Sequence, residues 1–273
     1  MDRPDTRRIW NANATAWTEL TRGGFDVYRD LVNTPTFMEI LPPVAGLTGL
    51  DLGCGEGHNT ALVSERAADI VALDISERFI AAARQDGHPG IHLVQGDGAR
   101  LPFADECFDF VTAFMSLMDV GDPEGSLVEA ARVLRPGGFI QFSVVHPATS
   151  TPIRRWVENE AGERDALAIG DYFNEGLITE RWTFGAAPEE VSGRFEPFII
   201  TYTRRTLAGW VNAVCDAGLT MEALSEPHAD EETGRRHPGV ADTRIVPYFL
   251  IIRARKRGES HSQFPAPVPR SAQ

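Results

Sequence analysis

Between Leu47 and Pro147 the chain alternates five short apolar runs with amphipathic segments, and this rhythm narrows the possible folds more than any other feature. The runs are "LTGLDLG", "DIVALDIS", "IHLVQGD", "FDFVTAFM" and "FIQFSVVHP", each of which reads as a buried strand. Helical segments separate most of them: His58 to Arg66, "ERFIAAARQ" ending near Gly87, and "PEGSLVEAARVLRPGG", closed by a Pro-Gly-Gly turn. The loop "GARLPFADEC" lies before the fourth run. This alternation predicts an α/β fold, a parallel sheet with helices on both faces and right-handed crossovers.

The flanks follow other patterns. Residues 7–20 and 25–33 read as short amphipathic helices, and "TPTFMEIL" follows with Thr34 as its cap and Pro35 in the first turn. Residues 148–200 carry Trp156, Tyr172, Phe173, Trp182, Phe184, Phe195 and Phe198 without a clean period. That stretch is too long for a plain connection and predicts an insertion with its own structure. Regular order resumes with "TLAGWVNAVCDAGL", a helix starting near Thr206. The runs "TMEALSE" and "VPYFLIIRAR" then form a final strand pair across the polar stretch 227–244. The Pro/Ser-rich tail has little to bury and is expected to be disordered. The division is therefore 1–45, a helical lead; 46–147, the core; 148–200, the insertion; 201–257, the end of the core; and 258–273, the tail.

Composition removes several classes of function. The chain has 273 residues, 42% hydrophobic and 24% charged, enough for one sizeable α/β domain with an insertion. No run of about 18 apolar residues predicts a membrane span, and "MDRPDTRRIW" lacks the apolar core of a secretory signal. Three cysteines without metal spacing suit a reducing cytoplasm and predict no metal site. A net charge of −13 argues against a nucleic-acid backbone as partner, because phosphate binding rests on Lys and Arg.

The turn after the first strand points to the ligand. "LDLGCGEGHNT" places glycines at 53, 55 and 57, where ligands sit in an open parallel sheet. A dinucleotide site asks for G-x-G-x-x-G with the helix N-terminus facing a pyrophosphate. Here the spacing is G-x-G-x-G, with His58 where the third glycine would stand. Asp51 lies in the first strand, Asp74 ends the second and Asp97 ends the third. Three carboxylates would repel a pyrophosphate but accommodate a cationic, phosphate-free adenosine compound. S-adenosylmethionine, with its sulfonium, ammonium and single carboxylate, is such a compound.

"LDLGCGEG", followed by "VALDIS", "VQGDGARLPFADECFDFV" and "ARVLRPGGFIQFSVVHP", resembles the class I S-adenosylmethionine-dependent methyltransferases over residues 46–147. The resemblance implies a Rossmann-like seven-stranded sheet, mostly parallel with the last strand antiparallel, a place the 219–254 strand pair would fill. It also implies the contacts. Gly53, Cys54 and Gly55 let backbone approach the methionine part and ribose of the cofactor. Asp51 orients the loop or reaches the ammonium through water. Asp74 accepts both ribose hydroxyls, since a carboxylate's two oxygens suit a vicinal diol. Asp97 accepts the adenine amino group, Gly98 offers its backbone amide, and Ile75 and Leu101 sandwich the ring. Phe114 and Met115 lie near the methyl-bearing sulfur, although core packing accounts for them equally.

In related enzymes a leading helical segment folds over the cofactor. Trp17, Tyr28 and Arg29 stand in that segment here, and Tyr28 or Arg29 is expected to meet the cofactor carboxylate. His146 follows the fifth strand and has a pKa suited to taking a proton at neutral pH, which makes it the candidate catalytic base. A His-Pro pair also serves simply as a turn. The acceptor pocket is then bounded by the lead, His146 and the insertion. A small organic acceptor methylated at O, N or C is the first expectation. A peptide or other macromolecular acceptor, and a nucleotide-binding protein without transfer activity or a nicotinamide dehydrogenase, remain as alternatives. The acceptor's identity and the oligomeric state have no signature in the chain.

Overall fold

A computed structural model describes residues 5–258, so the expected disordered tail lies almost wholly outside the described residues. The chain enters through α1 (Thr6–Arg22), a π-turn at Arg29–Asn33 and α2 (Thr34–Ile40). The α/β alternation follows, with β1 (Thr48–Leu52), α3 (His58–Ser64), β2 (Asp69–Asp74), α4 (Glu77–Asp86) and β3 (Ile91–Gln95). It continues through β4 (Phe108–Phe114), α5 (Pro123–Val133) and β5 (Leu134–Val145). The insertion holds β6 (Ile153–Glu158), β7 (Arg164–Gly170), β8 (Gly176–Trp182) and the short α6 (Glu189–Ser192). Then come β9 (Phe198–Arg204), α7 (Leu207–Asp216), β10 (Leu219–Ser225), α8 (Glu231–Arg236) and β11 (Phe249–Lys256).

Seven strands form one sheet in the order β10-β11-β5-β4-β1-β2-β3. The strands β1 to β5 pair in parallel, and β11 runs antiparallel to both β5 and β10. Both faces of the sheet are covered. Alternate residues of a strand separate into two cores: Val111, Ile140 and Ile252 pack with Leu127 and Trp210 on one side. Phe110, Phe139 and Ile251 pack with Phe37 and Val63 on the other. Full burial of such side chains contributes about 1.5–3 kcal/mol each. This double burial is why the strands read as unbroken apolar runs.

Helix ends follow the expected chemistry where a polar cap was legible. The Ser76 hydroxyl accepts from Phe79 N and caps α4, Asp122 accepts from Gly125 N at α5, and Thr206 accepts from Gly209 N at α7. Thr34 is a correction. The π-turn runs straight into α2, so Thr34 N already donates to Arg29 O and no helix N-terminus needs a cap. Its hydroxyl donates instead to Asn59 Oδ1 at 3.0 Å. The Pro136-Gly137-Gly138 segment is likewise no separate turn, because β5 begins at Leu134 and absorbs it as a shift of register against β4.

The insertion forms two antiparallel pairs, β6 with β7 and β8 with β9. β9, which leads out of it, is tied to the core by Thr203 N, which donates to Met118 O at 2.7 Å. The insertion's aromatics do not form an isolated core. Phe184 and Phe198 pack with Leu20 and Trp17 of α1, and Trp17 stacks on Trp182 at 5.2 Å between centroids. The same helix is tied to the sheet side, where Ser76 Oγ donates to Asn11 Oδ1 at 2.7 Å and Arg22 pairs with Asp86 at 2.7 Å. The polar stretch 227–244 contains α8 and a 3₁₀ turn (Pro238–Arg244), and it buries Val240, Asp242 and Thr243. Among the described residues no helix is long and apolar enough to cross a membrane.

Candidate active site

The glycine loop sits at the carboxyl edge of the sheet, where β1 hands over to α3. Gly53 N and Cys54 N both donate to Leu73 O, at 2.7 and 3.0 Å, pinning the loop across the end of β2. Gly53 has φ +75°, and a Cβ there would stand 2.4 Å from Ser116 Cβ, so the absent side chain makes room for the β4 loop. Gly55, at φ +56°, has nothing within 4 Å of a built Cβ. Its bare backbone faces open space. Cys54 is buried, and burial together with the Asp74 and Asp51 carboxylates pushes its thiol well up, which leaves it the small residue under a turn.

Asp51 lies beneath this loop with its oxygens engaged by the Thr60 and Thr112 hydroxyls, the latter at 2.9 Å. It therefore binds β1 to α3 and β4, and burial raises its pKa to about 6. Asp74 closes the loop from the next strand. Its Oδ2 accepts from Gly55 N at 2.9 Å and its Oδ1 from Ser76 N at 2.8 Å. Each oxygen retains acceptor capacity, and Asp74 lines the cavity described below. Burial raises its pKa to about 6, the two backbone N–H groups pull it down, and Glu56 and Asp51 push it up. Asp97 is held by Ala99 N, which donates to Oδ1 at 2.9 Å, and lines the cavity with Ile75 and Gly98. Leu101 is not brought there. It packs in the main core, its N–H donating to Glu129. The ring that does join Ile75 at the cavity is Phe79, on the first turn of α4.

Beyond β4 the backbone turns sharply. Met115 has φ +50°, a left-handed conformation uncommon for a non-glycine residue, and its N–H donates to Ser143 O at 3.0 Å and Ser143 Oγ at 3.1 Å. Phe114, Met115 and Ser116 line the cavity opposite the glycine loop. On the lead side Tyr28 and Arg29 line it too, with their polar ends already engaged. Tyr28 Oη donates to Asp242, and the Arg29 guanidinium pairs with Asp26, Asp30 and Glu56, the last at 3.0 Å. Glu56 is the middle residue of "GEG" and ties the lead to the glycine loop. Its place inside the glycine motif was the available signal for it.

All these groups border one cavity of about 590 Å³, within the range of small-molecule sites. The far wall comes from the insertion and β9 and includes Arg154, Glu180, Trp182, Phe184 and Tyr202. His146 is not among the residues that line it. Its Nδ1 accepts from Ala148 N at 3.1 Å, so Nε2 carries the proton and donates to Glu226 at 2.9 Å. Burial lowers its pKa despite Glu226. With both ring nitrogens committed to the turn, His146 has none to offer an acceptor, and the expected base is corrected on that ground. Asp119, in the loop after β4, does line the cavity and escaped the sequence reading.

Known proteins share this arrangement. A family model described as a methyltransferase domain matches residues 50–142. The 2-phytyl-1,4-naphtoquinone methyltransferase of Thermosynechococcus vestitus is 36% identical over 179 residues, which cover 60% of this chain and 68% of that protein. The chain belongs to the class I S-adenosylmethionine-dependent methyltransferases. A demethylmenaquinone methyltransferase of Corynebacterium kroppenstedtii is 42% identical over 115 residues, 41% of this chain and 49% of that protein. The crystal structure of an S-adenosylmethionine-dependent methyltransferase from Mesorhizobium loti superposes with a TM-score of 0.69 at 28% identity, covering 81% of this chain and 96% of that one. The cofactor of this methyltransferase is S-adenosylmethionine. Its cavity fits that group. The loop backbone is bare at Gly55, the Asp74 carboxylate has acceptor capacity to spare, and no lysine lines the wall to call for a diphosphate.

Proposed function

We propose that this methyltransferase moves a methyl group to O, N or C of a small organic molecule held between the glycine loop and the insertion. The observation that carries the reading is the continuity of the cavity. One space of about 590 Å³ is bordered by the loop, Asp74 and Asp97 on one side and by Glu180, Trp182 and Tyr202 on the other. Relatives named for methylating demethylmenaquinone and 2-phytyl-1,4-naphthoquinone favour a small organic acceptor over a macromolecule.

In this reading residues 1–45 form a lid, 46–147 and 201–257 the cofactor-binding core, and 148–200 the acceptor cap. Gly53, Cys54 and Gly55 present backbone to the methionine part, and Asp51 holds their loop from below. Asp74 accepts from the ribose, while Asp97, Gly98 and Ile75 hold the adenine. Phe114 and Met115 flank the reacting centre, and Tyr28 and Arg29 border the cofactor from the lid with their polar ends already engaged.

When bound, the cofactor supplies a methyl carbon already activated by the sulfonium. The chain's work is alignment and exclusion of water, worth up to about 7–11 kcal/mol in favourable cases. Trp17 and Trp182, stacked across lid and cap, exclude water from above. Calorimetric titration with S-adenosylhomocysteine and, separately, with NAD tests the reading. Binding of the first alone supports it, and binding of NAD alone would overturn it. A screen of hydroxylated and amino compounds for methylation then identifies the acceptor.

A further inference from the structure

The loop between β4 and α5 carries a carboxyl that nothing in the fold uses. Asp119 lines the cavity three residues beyond Ser116, the side chain that sits on Gly53. Its Oδ1 is sealed from solvent and has no hydrogen-bond partner among the described residues. Buried polar groups in folded chains are almost always paired, and an exception calls for an explanation. Burial alone drives its pKa well up, with no neighbouring charge contributing.

The surroundings say which way the carboxyl is used. Gly121, two residues on, comes within 3.4 Å of Thr6 Oγ1 on the lid if a Cβ is built there, and Met118 O accepts from Thr203 N of β9 at 2.7 Å. Asp119 thus stands where core, lid and cap meet. The cap's own polar groups are satisfied among themselves. Arg154 donates to Thr149 O at 2.7 Å and to Glu180 at 3.2 Å, and Tyr202 bonds Glu180. The other arginine lining the cavity, Arg29, is held by three carboxylates. Trp17, Trp182, Phe184 and Ile200 supply apolar surface to this wall.

We propose, resting on the methyl-transfer reading above, that Asp119 anchors the acceptor and takes its proton, and that the acceptor is an uncharged or cationic molecule with an apolar, ring-sized body and one reactive O–H or N–H. The lone pair of the acceptor O or N forms the new bond to the methyl carbon. The carbon–sulfur bond breaks with its electron pair going to sulfur, and the acceptor's proton passes to the Asp119 carboxylate, whose ionised form the positive charge of the bound cofactor favours against burial. A carboxylate- or phosphate-bearing acceptor finds no unpaired cation in this wall and is excluded.

Three measurements test this. Ligand-free Asp119→Leu should melt about 2–4 °C above the wild type, since an unpartnered polar group is removed, whereas the paired Glu180→Gln should melt below it. Asp119→Asn should bind S-adenosylhomocysteine within about twofold of the wild type while losing at least 100-fold in kcat. Across a panel of phenols, aromatic amines and their carboxylated analogues, methylation should be confined to compounds without the carboxylate. Melting of both Asp119 variants below the wild type, wild-type kcat in Asp119→Asn, or methylation of the carboxylated analogues overturns the proposal. If no panel compound is methylated, the melting comparison decides. Failure of the wild type to bind S-adenosylhomocysteine would overturn the methyl-transfer reading itself. Binding with an unimportant Asp119 overturns only the role given to that residue.

Discussion

Acidifying the solution should loosen the cofactor by protonating Asp74. Burial raises this carboxyl to about 6 against the backbone N–H bonds from Gly55 and Ser76, with Glu56 and Asp51 adding to the rise. The ribose diol proposed as its ligand donates its stronger, charge-assisted hydrogen bonds to the ionised form, and protonation turns one of the oxygens into a competing donor. At pH 7 a group with pKa near 6 is ionised in about ten molecules of eleven, and at pH 5 in about one of eleven. If the bound state requires the carboxylate, the dissociation constant for S-adenosylhomocysteine rises about tenfold between pH 7 and pH 5, or about 1.4 kcal/mol. Above pH 7 it stays flat.

Asp51 and Asp26 also titrate near 6, so a variant must isolate the effect. Asp51 has its oxygens engaged by threonine hydroxyls, and Asp26 sits beside Arg29. Neither should follow the cofactor. Asp74→Asn should weaken binding at pH 7 by about 1.5–3 kcal/mol, roughly 10- to 150-fold, and flatten the pH profile. Titration calorimetry at pH 5, 6, 7 and 8, with circular dichroism to confirm folding, gives both numbers. Equal affinity at pH 5 and pH 7 in the wild type would refute the reasoning, as would a variant that keeps the wild-type slope.

Other perturbations separate structural from functional roles. Gly53→Ala combines a positive φ with a Cβ driven into Ser116 and should cost about 2–5 kcal/mol of stability in urea unfolding. Gly55→Ala meets no atom and should cost only about 1–2 kcal/mol while still lowering affinity for S-adenosylhomocysteine; equal stability losses in the two variants would contradict the geometry. His146→Ala should lower stability by about 1–3 kcal/mol and leave kcat within about threefold. A large loss of kcat at unchanged melting temperature would restore the histidine as a base. Arg29→Gln leaves Asp26 and Glu56 without their shared cation and should destabilise the chain by about 3–5 kcal/mol, with faster hydrogen exchange over residues 25–33. Unchanged exchange there would mean the ion pairs do not hold the lid.

The core was legible because its signals are local. Strands buried on both faces become continuous apolar runs, helix caps need Ser, Asp or Thr at one position, and a bare loop needs glycine at fixed places. Each leaves a mark within a few residues, and Ser76, Asp122 and Thr206 bear theirs openly. Thr34 misled because a cap residue before a proline looks the same whether the chain enters from a loop or, as here, from a preceding helical turn. His146 misled for a related reason. It follows β5, whose carboxyl end faces the site, but which way the ring nitrogens point depends on Glu226, eighty residues away.

The acceptor side was illegible because it is made of pairings between distant segments. Trp17 meets Trp182 across the lid and cap, Arg154 meets Glu180 across two hairpins, and Tyr28 meets Asp242 across nearly the whole chain. No period or spacing encodes such meetings. Of these, the Arg154–Glu180 pair bears on the proposed acceptor, because each partner neutralises a charge that the other would have offered. On the proposed acceptor side the aromatic rings stand beside a buried carboxyl oxygen without a hydrogen-bond partner among the described residues, that of Asp119. On this argument the specificity of the methyltransferase resides less in groups aimed at a ligand than in the mutual neutralisation of the others. Under the proposal made above, an anionic acceptor is refused because both arginines lining the cavity are already paired.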